Sequence, residues 1–139
     1  MKKIFLSALS GALLLVPQIS PAQEWALDGI DPVSYSEDGA ALPGRTDIVT
    51  LWHGKTWHFV SESNRDSFEA NPKAFTPALD GYCVVALAEG RSEPGDPRYF
   101  VIIAERTYLT RSPQARDELI AHQAKLLSEA RKNFVQLQN

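Results

Sequence analysis

Sulfur is nearly missing from this chain. Its 139 residues hold one cysteine, Cys83, and one methionine, Met1. A single cysteine excludes an internal disulfide, and the lack of a Cys-x-x-Cys pair excludes the usual dithiol exchange chemistry. An excess of basic charge is missing too. Fourteen Lys and Arg face 17 Asp and Glu, a net charge of −3. No basic stripe marks a nucleic-acid footprint, and no basic amphipathic face marks a membrane-surface helix. No internal repeat or low-complexity tract stands out, so one small domain is expected.

The only long apolar run lies at the start. Lys2 and Lys3 precede Ile4 to Val16, Pro17 breaks the run, and Ser20-Pro21-Ala22 supplies small residues for cleavage after Ala22. This is the three-part layout of an export signal over residues 1–22. The run is shorter than the roughly 20 residues a spanning helix needs, so no stable membrane insertion is expected after cleavage. With no cysteine following the run, a lipoprotein anchor is excluded. A periplasmic or secreted chain of residues 23–139 is the expectation.

Two β-rich runs, Ile48 to His53 and Thr56 to Val60, flank Gly54-Lys55 and predict a hairpin. Alternation puts Trp57 and Phe59 on one face and Thr56, His58 and Val60 on the other, so both faces carry large groups. Ser61 or Ser63 predicts a helix cap, and Asn71-Pro72 predicts an early stop. Asp31 to Tyr35 reads as a turn-former followed by a short extended piece. Cys83 to Ala88 is an apolar run that periodicity assigns to neither strand nor helix. Tyr99 to Ala104 and Thr107 to Thr110 predict a second hairpin around Glu105-Arg106. Ser112-Pro113 starts a last helix whose Ala115, Leu119, His122, Leu126, Ala130 and Phe134 share one apolar face. A small α+β domain is expected, with two β-hairpins, a short helix after the first hairpin and a longer C-terminal helix.

Several segments together resemble the exported YHS-domain proteins. They are Asp28-Gly29-Ile30-Asp31-Pro32-Val33-Ser34-Tyr35, Trp52-His53-Gly54-Lys55-Thr56-Trp57-His58-Phe59, Asn64-Arg65-Asp66-Ser67-Phe68, Asn71-Pro72-Lys73-Ala74-Phe75 and Gly81-Tyr82-Cys83. The likeness runs from about residue 25 to 134. It implies a YHS-like domain over residues 23–139, similar to the treble-clef-like, heavy-metal-associated modules. In metal-binding members the hairpin and following helix present cysteines. Here the stretch after the hairpin, Phe59 to Asn64, contains serine and no cysteine, so the knuckle ligands are absent. The Gly-Tyr-Cys segment that the exported branch keeps is present.

The lone Cys83 is either a small buried apolar side chain or a reactive or metal-binding thiol. A soft metal, copper favoured, would take the Cys83 thiolate with imidazole from His58 or His53. The two histidines flank the hairpin turn, and a tight turn at Gly54-Lys55 would bring them near each other. A small-ligand pocket near Tyr35, Tyr82, Asp31 and Gly81 is the other candidate site. His122 is expected to be a satisfied, half-buried residue of the last helix. Three functions compete. The first is a non-enzymatic periplasmic module that binds a soft metal ion or a protein partner through the Cys83 region. The second is a thiol-dependent redox or accessory enzyme component using Cys83 and a nearby histidine. The third is a structural interaction domain with an inert buried cysteine. No nucleic-acid partner is expected.

Overall fold

A computed structural model describes residues 23–139; the expected export signal, residues 1–22, lies outside them. The chain is mixed α+β, with two antiparallel two-stranded sheets. A one-turn 3-10 segment at Ala26–Gly29 leads into α1 (Ser34–Glu37), then β1 (Arg45–Trp52), β2 (Lys55–Phe59), α2 (Glu62–Ala70) and α3 (Pro72–Phe75). A second 3-10 segment, Leu79–Gly81, leads into α4 (Val84–Ala88), β3 (Asp96–Ile103), β4 (Arg106–Thr110), α5 (Pro113–Ala121) and α6 (Gln123–Leu137). Both predicted hairpins form.

The second series of elements repeats the first, which corrects the expectation of no internal repeat. Leu27 and Asp28 adopt left-handed backbone before Gly29, and Leu79 and Asp80 do so before Gly81. Ile30 bridges Pro43, and Tyr82 bridges Pro94. Arg45 pairs with Phe59 and Val49 with His58, with an irregularity between; Asp96 pairs with Thr110 and Phe100 with Leu109 in the same way. Ser61 caps α2 by accepting from Asn64 N, and Ser112 caps α5 by accepting from Ala115 N, each at 3.1 Å. Asn71 breaks α2 from α3, and His122 breaks α5 from α6. The last helix is therefore two helices, and His122 is exposed at the break rather than half-buried on an apolar stripe.

Twin glycines set the closest approach in each half. The Gly44 N–H donates to Gly29 O, and the Gly95 N–H donates to Gly81 O, both at 2.8 Å. A Cβ on Gly44 would overlap the His58 backbone, and one on Gly95 would overlap Leu109 Cβ. Only glycine lets the loop run that close to the inner strand.

Each half closes over its own core. Val33, Ile48, Trp57, Phe59 and Phe68 fill the first; Val84, Leu87, Tyr108, Leu119 and Leu127 are among those filling the second. In the second half α6 extends far past the length of its twin α3 and packs along α4. That longer cover explains why α4 is apolar on almost every side, and why periodicity could not classify its sequence. Asp31 to Tyr35 is not extended: it turns directly into α1. The turns also differ from expectation by one residue. They are His53-Gly54 and Ala104-Glu105, all at positive φ, the pattern of the type I′ turns that suit a twisted two-stranded ribbon.

Tyr35 ties the halves together. It is fully buried, its ring tilts against Phe100 at 4.6 Å, and its hydroxyl donates to Pro97 O at 2.8 Å. Burial, and then the negative charges of Asp96, Asp28 and Asp31, push its phenol well above the ordinary value of about 10. An acid with a raised folded-state value stabilises the fold fully below its unfolded value and loses that contribution as pH rises past it. Stability should therefore fall above about pH 10. Tyr35→Phe should flatten that fall and cost about 1 kcal/mol at neutral pH, both measured by denaturant unfolding across pH.

Candidate functional site

Cys83 immediately precedes α4. Its side chain has no solvent exposure and belongs to the second core, with Val84, Leu87, Ala115 and Leu119. Its backbone N–H donates to Glu93 O at 2.9 Å. The twin of Cys83 in the first half is Asp31, the residue after the bridging Ile30.

Asp31 is equally buried but is used differently. One carboxylate oxygen accepts the Val33 N–H at 2.8 Å. The other accepts the Val60 N–H at 2.8 Å and the Asn64 side-chain amide at 2.7 Å. Three N–H donors replace the water a buried carboxylate would otherwise need. In the second half the twin of Asn64 is Ala115, and both Ala115 and Cys83 are core residues. The polar clamp of one half is an apolar contact in the other. A cysteine fits there because it is small, apolar and readily buried.

The histidines occupy other places. His58 lies on β2, which packs on β1, on α2 and on the first 3-10 segment; α4 packs instead on β4, α5 and α6. His58 is almost fully buried, its Nδ1 lies 3.2 Å from Arg45 O, and its ring lies 4.3 Å from that of Trp25. A carbonyl only accepts, so the neutral ring carries its proton on Nδ1. His58 Nε2 is buried without a partner. His53 sits in the turn itself, exposed and stacked on Trp52 at 3.8 Å. The turn falls at His53-Gly54, and the register pairs Trp52 with Lys55 and Val49 with His58. One histidine therefore points out at the hairpin tip while the other is sealed beneath Trp25.

The expected grouping of Cys83 with His58 or His53 is not what the fold brings together. Among the described residues no group of three or more His, Cys, Asp or Glu side chains is arranged to hold a metal ion. The expected pocket is likewise divided. Asp31 and Tyr35 are fully buried supports, and Tyr82 is half-buried with its ring 6.4 Å from Phe134. Gly81 lines an open cavity.

That cavity is a cleft of about 500 Å³ where the two halves meet. Trp52, Trp57 and Leu27 form its wall from the first half, and Asp80 and Gly81 close it from the second. His53, Lys55 and Lys73 supply its ionisable rim together with Asp80. The left-handed turns at Leu27-Asp28 and Leu79-Asp80 are twins, and both contribute lining residues. Sequence reasoning assigns Lys55 and Lys73 no part in a site. The one signal available was the repeated Ala-Leu-Asp-Gly at 26–29 and 78–81, which marks two equivalent turns.

No helix among the described residues is long and apolar enough to cross a membrane. No protein-family model, curated protein or solved structure matches the chain.

Proposed function

We propose that this chain is an exported, non-enzymatic YHS-like binding module, in which two fused half-units take a ligand in the cleft between them and Cys83 serves as core. The observation that carries this is the cleft itself. Residues of both halves build it, it has the size of a small-molecule site, and it combines an aromatic wall with a few polar groups. The resemblance to exported YHS-domain proteins supports the module, and the burial of Cys83 among apolar side chains supports its inert role. A thiol needs access and an electropositive neighbour to act as nucleophile or metal ligand.

Thiol alkylation and copper titration of the reduced protein test the Cys83 part. The native thiol should react at least about a hundredfold more slowly than the unfolded one, because reaction waits on opening of the core. Cys83→Ala should fold, with a cost of about 1 kcal/mol for the lost volume. Stoichiometric anaerobic copper(I) uptake that disappears in Cys83→Ala would overturn this assignment and restore a thiol-centred metal site.

A further inference from the structure

Resting on the cleft as the binding surface, we propose that its ligand is a planar aromatic acid: a ring bearing a carboxylate or phosphate group. The ring component follows from the wall. Trp52 is half-buried and meets Trp57 edge-on at 5.7 Å, while His53 is already stacked over Trp52 with its plane tilted by 27°. The Trp57 indole N–H is spent on Trp52 O at 3.0 Å, so Trp57 offers the cleft only its ring. Leu27 and Pro77 add further apolar lining. Such surfaces select flat apolar groups by stacking and exclusion of water.

The acid component follows from the charges. Lys73 makes no ion pair among the described residues. Among the described residues Lys55 makes its one ion pair with Glu24, at 3.1 Å, both side chains being largely exposed. Such a pair contributes little and exchanges readily with a ligand anion. Behind the lining sits Arg106, the twin of Lys55. Its guanidinium donates to Lys73 O and Thr76 O and makes no ion pair among the described residues. Its positive charge is therefore not cancelled locally. Asp80 is the single acidic group of the lining. In a chain of net charge −3, the lining thus sets two lysines and an imidazole against one carboxylate, with Arg106 bonded to the carbonyls of two lining residues, a local balance that favours an anion.

His53 separates a binding role from a folding role. It holds φ +49° at the first position of the turn, where asparagine is the favoured residue of a type I′ Asn-Gly turn. His53→Asn should therefore preserve the hairpin while removing the imidazole.

The test is titration of residues 23–139 with small probes, followed by tryptophan fluorescence and by amide chemical shifts. Benzoate and phenyl phosphate should bind saturably and shift amides at Trp52, Lys73 and Gly81. Acetate and inorganic phosphate should bind at least about tenfold more weakly, lacking the ring. Lys73→Gln should weaken phenyl phosphate about tenfold, the loss of one charge-assisted contact. His53→Asn should weaken it severalfold with the melting temperature unchanged or raised. Benzamidine or benzyl alcohol binding in the cleft as tightly as benzoate would overturn the acid specificity while leaving the cleft as a site. Failure of every ring-bearing probe to shift the cleft amides would overturn the cleft itself.

Discussion

Asp31→Ala should cost the protein about 3 kcal/mol or more, measured by denaturant unfolding. The carboxylate is completely buried and accepts from Val33 N, Val60 N and Asn64 Nδ2. Removing it orphans those donors where water enters poorly, and each unsatisfied buried donor costs about 1–3 kcal/mol. The contacts also join distant parts of the chain. Val33 N fixes the entry to α1, Val60 N the end of β2, and Asn64 the first turn of α2. Asp31→Asn should lose less, because its amide oxygen still accepts while its NH2 group faces at least one donor. The twin position gives the control. Asp31→Cys alone should be nearly as damaging as alanine, because Asn64 and the two backbone donors stay behind. Asp31→Cys with Asn64→Ala, which copies the Cys83–Ala115 arrangement, should recover part of the loss by removing one orphan. Equal stability of Asp31→Ala and the parent would show that solvent already satisfies the site.

The same comparison shows what the sequence could reveal. The hairpins were legible because each has two β-rich runs around a short turn, and the fold class followed from them. The Ser61 and Ser112 caps were legible because a serine before a polar or proline-led helix has a direct bonding role. The repeat was not, since most twins differ in kind: Asp31 with Cys83, Asn64 with Ala115, His58 with Leu109, Phe68 with Leu119. The longest identical run is Ala-Leu-Asp-Gly at 26–29 and 78–81, joined by Pro-Gly at 43–44 and 94–95. Those residues answer to left-handed turns and close approaches, whereas the core twins answer only to volume. Cys83 is conspicuous in the sequence because a lone thiol is chemically distinctive. Its surroundings depend on Leu119 and Ala115, far along the chain, and no local pattern reports them. The cleft was illegible for a related reason. Its wall joins Trp52 to Gly81 across the junction of the halves, and Lys73 reaches it from the linking helix α3.

Phe68→Ala should be the most damaging single truncation in the first half, at about 3–5 kcal/mol, the range for emptying a fully buried aromatic position. The ring is completely buried and has three aromatic neighbours: Trp57 at 4.9 Å, Phe59 at 5.3 Å and Trp52 at 5.8 Å. Those neighbours sit on a two-stranded sheet that cannot collapse freely, so a cavity should persist. The separate cores make the pattern of the damage informative. Only a few contacts couple the halves, among them Tyr35 to Pro97 and Arg106 to the linker carbonyls. Amide hydrogen exchange of Phe68→Ala should therefore show β1, β2 and α2 opening more readily while β3, β4, α4 and α6 keep most of their protection. Leu119→Ala, the twin truncation, should lose about 2–5 kcal/mol and place the opening in the second half. The Phe68 cavity also adjoins Trp52 and Trp57, which line the cleft, so Phe68→Ala should weaken ring-bearing ligands by loosening their wall, whereas Leu119→Ala should leave them nearly unchanged. Uniform loss of protection throughout the chain in both variants would show instead that the two cores melt as one cooperative unit.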